Sequence, residues 1–264
     1  MSFPKRLEQM LPPFVDPFVS AISLIKPGDY RDPPGDHHGT GSFLYLDETR
    51  LILTCEHVAS VQQDAMLGMT QFGANHAISI PGAFSSDKYP IDVAVNHIPD
   101  RNWNRVPHMA KCVDIGVIAR RHEPVDGEYL YVYGFPGDDA AVGFGQHHHR
   151  GLAVFSHERD FSTVLIDEDP KPIDKYHFLI PYNPEHAVLL DGKNPLLPKP
   201  PGMSGSLVWN TRYVEVTNQG KEWSPEDSRV TGVVWGHSSK ASVLVATKIE
   251  FLRYFLSIDN DLDG

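Results

Sequence analysis

A serine set between two glycines, directly after a proline pair and directly before an apolar run, leaves the chain few choices at Pro200-Pro201-Gly202-Met203-Ser204-Gly205-Ser206-Leu207-Val208-Trp209. The segment reads as a tight turn that presents a hydroxyl and then enters a strand. Glycine suits such a turn because it adopts positive φ without a steric penalty and lets a second backbone come close. A serine hydroxyl alone is a poor nucleophile. Acyl-transfer chemistry also needs a base to take its proton and an acid to orient that base.

Both are on offer upstream. Leu51-Ile52-Leu53-Thr54-Cys55-Glu56-His57-Val58-Ala59 supplies a histidine where an apolar strand gives way to a short helical turn, which would hold the ring on a rigid element at the edge of a cleft. Two aspartates stand at the entry to apolar runs, where a carboxylate can turn inward toward an imidazole: Asp92 in Pro90-Ile91-Asp92-Val93-Ala94-Val95, and Asp114 in Cys112-Val113-Asp114-Ile115-Gly116.

Most of the remaining pattern is β. Short apolar and β-branched runs predict strands at residues 18–25, 91–98, 113–118, 152–156, 163–166, 176–180, 206–209, 230–234 and 241–247, with weaker candidates at 71–77 and 78–80. Residues 39–46 and 50–54 read as a hairpin closed by the polar turn Asp47-Glu48-Thr49. The proline-interrupted start is expected to be an arm laid on the body, with one helical turn over residues 5–10. At the other end Ile249, Leu252, Phe255 and Leu256 fall on one face at helical spacing, predicting a closing helix over 248–258.

Composition narrows the function classes. The formal net charge is −11 and no run of lysine or arginine occurs, so a nucleic-acid surface lacks its usual footprint. No apolar stretch reaches eighteen residues and the N-terminus has no secretory pattern, so neither membrane nor export is expected. Two cysteines, Cys55 and Cys112, cannot build a disulfide scaffold, which favours a reducing compartment and a cytoplasmic location.

The order histidine, aspartate, serine, in these local contexts, resembles the trypsin-like (chymotrypsin-fold) serine peptidases, more closely their bacterial and Deg-type branches than the secreted digestive enzymes. GTGSFLYLDETRLILTCEHVAS, residues 39–60, is similar to the glycine-initiated hairpin and histidine turn of that family. GEYLYVYGFPG, residues 127–137, resembles the strand that opens its second barrel, and Thr231-Gly232-Val233-Val234-Trp235-Gly236 is similar to the edge strand after its nucleophile.

The resemblance implies an all-β fold of two six-stranded antiparallel β-barrels with a C-terminal helix. One peptidase domain would be divided into an arm (1–17), a first barrel (18–126), a second barrel (127–247) and the helix (248–258). It implies catalysis by Ser204 as nucleophile, His57 as general base and Asp92 as orienting acid, with the N–H groups of Gly202 and Ser204 forming an oxyanion hole. Trp235, Gly236 and His237 would bind a protein or peptide substrate as an added strand. No cofactor and no metal are implied. Asp92 is preferred because it keeps the alanine two residues on and leaves 35 residues before Gly127, whereas Asp114 leaves 13; Asp114 stays open as the alternative acid.

Three departures bear on the expectation. Met203 stands where digestive relatives carry an aspartate that pairs with a new N-terminal amine, and no matching mature start exists, so no such cleavage is implied; an activating partner stays open. Ser206 replaces the second glycine of the family's turn. His147-His148-His149 read as a solvated loop, since metal sites take ligands spaced along a face. Lys199 and His237 are the polar candidates beside the primary pocket. The alternative function is a catalytically silent peptide-binding module on the same fold.

Overall fold

The structure, a computed structural model, describes residues 3–31, 35–137, 140–143, 146–149, 151–182 and 198–258. The first sheet is built from β1 (Val19–Ile25), β2 (Asp36–Leu46), β3 (Thr49–Thr54), β4 (Met66–Thr70), β5 (Ile78–Ser79), β6 (Ser85–Asp87), β7 (Val93–His97) and β8 (Val113–Asp114). Its order is β5-β4-β1-β2-β3-β7-β6, with antiparallel neighbours, and β8 adds to β2 in parallel. The second sheet takes β9 (Leu130–Gly134), β12 (Leu152–Ser156), β13 (His177–Pro181), β14 (Leu207–Asn210), β15 (Arg229–Ser238) and β16 (Val243–Lys248) in the order β12-β9-β14-β15-β16-β13. Its ends meet where the Arg159 N–H donates to the Leu179 carbonyl at 2.9 Å. Between them β10 (Ala140–Gly143) and β11 (Gln146–His149) form a separate hairpin, so the three histidines lie on a strand backbone rather than in a loop.

These are the two barrels and closing helix that the sequence led us to expect, with differences of detail. The first sheet has eight strands because β5, β6 and β8 are short additions. The β2–β3 hairpin closes on two residues, with Asp47 and Glu48 both at positive φ (47° and 61°), as a type I′ turn requires. Residues 71–77 turn instead of extending: the Ala74 N–H bonds to the Gln71 carbonyl, and the buried Gln71 side chain donates to the Trp103 carbonyl. Residues 115–117 coil into a 3₁₀ turn capped by Asp114, which cuts the strand expected at 113–118 to Val113–Asp114, and 161–163 coil into another capped by Asp160, so the strand expected at 163–166 does not form. In each case a local side-chain acceptor outcompetes the ladder.

The arm is more ordered than expected. Helix α1 (Lys5–Val15) runs through Pro12 and Pro13. Leu7, Leu11 and Val15, four residues apart on one face, are fully buried, and Phe3 meets Tyr129 and Phe155 of the second sheet. Apolar burial on that face offsets the helical bonds the prolines cannot donate. Pro12 and Pro13 free the carbonyls of Glu8 and Gln9, and these two residues are half-buried and exposed, respectively, off the buried face of Leu7, Leu11 and Val15. Phe14 and Phe18 then pack on Trp209 of β14, so the arm binds the second sheet before the chain enters the first.

Short helices α2 (Glu56–Ala59), α3 (Asp100–Trp103) and α4 (Tyr213–Asn218) punctuate the strands, and α5 (Ile249–Phe255) closes the chain. No helix among the described residues is long and apolar enough to cross a membrane. The second barrel has its own core of Leu130, Val132, Phe178, Met203, Val208, Val234 and Leu244, among others. Met203, one residue before Ser204, is thus an anchor of that core.

Candidate active site

His57 is the second residue of α2, two after the cap Cys55, just past the end of β3. Its backbone and side chain are both engaged by Asp92: the N–H donates to Oδ1 at 3.1 Å, and Nδ1 lies 2.7 Å from Oδ2. An ionised carboxylate only accepts, so in the neutral imidazole Nδ1 carries the proton and Nε2 keeps its lone pair. The His57 side chain is 48 % exposed and that of Asp92 only 9 %. The imidazole therefore faces outward, and the carboxylate behind it is buried.

Asp92 holds this position at φ 49°, a left-handed conformation uncommon for a residue with a side chain. Two residues of the second barrel hold it there. His177 and Thr247 face each other in the β13–β16 register. Thr247 Oγ1 donates to the Ile91 carbonyl at 2.8 Å. His177 accepts the Ile173 N–H at Nδ1 (2.8 Å), so its Nε2–H donates to the Pro90 carbonyl at 2.6 Å. The Tyr89 hydroxyl adds a bond to the Lys171 carbonyl. Sequence reasoning missed His177 and Thr247; nothing near them signals that they reach another barrel. Asp114, the other aspartate considered, is exposed and bonds only locally, to the Gly116 N–H.

The turn carrying Ser204 closes with Met203 N–H to the Pro200 carbonyl and Ser206 N–H to the Met203 carbonyl. Gly202 (φ 99°) and Gly205 (φ 93°) take left-handed backbone angles. A Cβ on Gly205 would stand 2.0 Å from the Thr40 carbonyl, and one on Gly202 would stand 2.6 Å from the Phe135 carbonyl. Thr40, on the buried part of β2, fastens the turn to the first barrel: its N–H donates to the Ser204 carbonyl and its hydroxyl to the Gly202 carbonyl. With both carbonyls turned to Thr40, the N–H groups of Gly202 and Ser204 have no acceptor among the described residues. Ser204 Oγ donates to the Trp235 carbonyl at 3.3 Å.

One carbonyl joins the histidine and serine segments. The Val234 oxygen accepts from Gly205 N–H at 2.8 Å and from Cys55 Sγ at 3.2 Å. Burial pushes the Cys55 thiol well up from its ordinary value, with Asp92 adding to the effect. A ligand atom each from Cys55, His57 and Asp92 lie within 4.8 Å of one another. Two ligands on one tetrahedral zinc stand about 3.3 Å apart, however, and the 2.7 Å His57–Asp92 contact is a hydrogen bond instead.

Trp235, Gly236 and His237 lie on β15 past the point where pairing with β14 stops at Val233; pairing with β16 continues to Ser238. Among the described residues no strand pairs with the facing edge there, and a Cβ on Gly236 would meet none of them within 4 Å. The Trp235 ring is buried against His177 and Tyr89. His237 is half-buried, and burial pushes its imidazole down while Glu168 opposes that shift. Glu168 itself is held below its ordinary value by the Ser238 hydroxyl, 2.6 Å away. Lys199 is exposed. The buried Met203 side chain fills the second core, so this position needs no ion pair.

No protein-family model matches the sequence, and no curated protein matches it significantly. Solved structures do. The active form of the Rv3671c protease from M. tuberculosis is 18 % identical with a TM-score of 0.54, over 97 % of this chain and 86 % of that one. The scabies mite inactivated protease paralogue S-I1 is 12 % identical with a TM-score of 0.55, over 92 % and 93 %. The MamO protease domain from Magnetospirillum magneticum is 11 % identical with a TM-score of 0.50, over 91 % and 95 %. At these identities the likeness establishes the fold, which is trypsin-like.

Proposed function

We propose that this chain is a serine endopeptidase that cleaves protein or peptide substrates through an acyl-enzyme. The observation that carries the reading is the Asp92–His57 pair, which in the neutral ring places the proton on Nδ1 and leaves Nε2 to accept one, on a ring that faces solvent. In this reading Ser204 Oγ turns from the Trp235 carbonyl to Nε2, gives up its proton and attacks the scissile carbonyl. The developing oxyanion is met by the N–H groups of Gly202 and Ser204, each worth about 3–4 kcal/mol in comparable sites. Collapse of the adduct expels the amine, which takes the proton from Nε2. Water then repeats the sequence to release the acid product. The open edge at Trp235-Gly236-His237 takes the substrate backbone as an added strand.

Within the fold, the hairpin and histidine-turn motifs support a place nearer the bacterial and Deg-type members than the digestive enzymes. The two free cysteines support a reducing, cytoplasmic setting.

A second reading, a silent peptide-binding module, is favoured by one bond: Ser204 Oγ is given to Trp235 and not to the histidine. A fluorophosphonate probe separates the two. Labelling of the wild type and not of Ser204→Ala, together with peptide hydrolysis, supports the enzyme. Peptide binding with neither labelling nor hydrolysis supports the module.

A further inference from the structure

We propose that a groove on the second barrel, away from Ser204, binds a small compound bearing several phosphate charges. Five of the chain's twelve arginines line it, Arg120, Arg121, Arg212, Arg229 and Arg253, on a chain whose formal net charge is −11. They come from four separate places: the linker between barrels, the residue two after β14, the first residue of β15, and α5. Only Glu123 and Glu215 oppose them among the lining residues. The cavity volume of about 760 Å³ exceeds what one inorganic phosphate fills and suits a polyphosphate or nucleotide-sized ligand.

Partner by partner, Arg212 is the arginine most offset by acidic groups, with Glu215 in contact and Asp227 and Glu128 nearby, whereas Arg120 and Arg121 keep their charge unopposed by any described contact. Arg212 forms a two-point pair with Glu215 at 2.8 and 2.6 Å, which holds that carboxyl below its ordinary value, with Arg229 contributing. Arg229 Nη1 donates to two backbone carbonyls, of Glu226 and Ser228, which satisfies its hydrogens without neutralising its charge. Arg253 is buried, with Nη1 3.4 Å from the Ile118 carbonyl. Arg120 and Arg121 are exposed and have no ion-pair or hydrogen-bond partner among the described residues. The wall behind them is rigid: Ile118 bridges Val230, and the Ala119 N–H donates to the Val230 carbonyl at 2.9 Å.

The chemistry selects phosphate. Guanidinium groups keep their charge at any physiological pH and present forked donors that match phosphate oxygens two at a time. Several such forks on a concave, partly desolvated surface bind an anion of several charges far better than a monovalent one. The groove does not depend on the peptidase reading, since it shares no residue with the Ser204 turn, and its test reads binding alone.

Isothermal titration of the whole chain with tripolyphosphate, at low and moderate salt, tests the proposal. Saturable one-to-one binding is expected, weakening as salt rises. The Arg120→Gln/Arg121→Gln variant changes only exposed side chains; it is expected to fold as wild type and lose affinity about tenfold or more. Arg31→Gln, outside the groove, is expected to bind as wild type, and Glu123→Gln to bind tighter. The proposal is overturned by no saturable binding at millimolar tripolyphosphate, by affinity unchanged in the double variant, or by an acidic peptide binding the groove where tripolyphosphate does not.

Discussion

His177 and Pro90 are joined across the boundary between the two barrels: the imidazole Nε2–H of His177 donates to the Pro90 carbonyl at 2.6 Å. Pro90 lies two residues before Asp92, whose carboxylate holds His57. The His57–Asp92 pair belongs to the first barrel, yet the loop that aims the Asp92 carboxylate is held by the second. This seam is therefore as important to the site as the residues that face solvent.

If His177 positions Asp92, replacing it should disturb the pair without touching it. His177→Leu leaves the half-buried Pro90 carbonyl and the Ile173 N–H without their partner and is expected to cost about 1 kcal/mol or more. Under the proposed peptidase reading it should also lower kcat more than it raises KM. His177→Gln can donate and accept in the same place and should restore part of kcat. A purely structural role would predict lost stability in His177→Leu with kcat unchanged for the folded fraction, measured by steady-state kinetics beside urea titration.

Acid should weaken the fold. His38, His177 and His237 are each held below their ordinary value, in every case chiefly by burial. A histidine with a depressed folded pKa takes its proton more readily when unfolded, so its full contribution is present above the ordinary value of 6.5 and is lost as pH falls below it. Urea midpoints are expected to be level above about pH 7.5 and to fall between about pH 6.5 and 5. His177→Gln should show a shallower fall.

The turn at Ser204 should accept no β-carbon at residue 205. Gly205→Ala combines a left-handed φ with a Cβ 2.0 Å from the Thr40 carbonyl, whereas Gly82→Ala has a similar φ (68°) and open space. The second should cost about 1–2 kcal/mol from backbone strain alone. The first should cost clearly more and also abolish any fluorophosphonate labelling, because the turn must shift off Thr40. Denaturation midpoints and labelling rates of the pair check this.

Asp92→Asn keeps the shape of the site and removes the acceptor that fixes the His57 tautomer. Under the proposed mechanism kcat is expected to fall by roughly 10⁴, the loss seen when other triads are changed in this way. Asp114→Asn, which touches only the Gly116 N–H, is expected to leave kcat within about twofold, since surface changes of this kind have small effects. Equal losses in both variants would remove Asp92 from its role.

Much of the architecture was legible because it depends on short-range rules. Alternating apolar residues marked most strands, the helical spacing of Ile249, Leu252 and Phe255 marked α5, and the glycines at 202 and 205 marked a turn that needs positive φ. Where local rules conflicted, the reading failed. Pro12 and Pro13 argued for a broken helix, but Leu7, Leu11 and Val15 are buried against a surface that exists only after folding, and that burial prevails. Other features lay beyond any window of sequence. Two aspartates preceded similar apolar runs; the sequence favoured Asp92 by its following alanine and its spacing, but the contacts from His177 and Thr247 that hold its loop beside His57 come from the other barrel and could not be read from it. Arginines from four distant segments formed one groove although no basic run exists in the chain. Local steric and hydrogen-bond preferences act over a few residues and can be read in order, but side-chain charge and hydrogen bonds act through space, so their partners are chosen when the chain closes on itself.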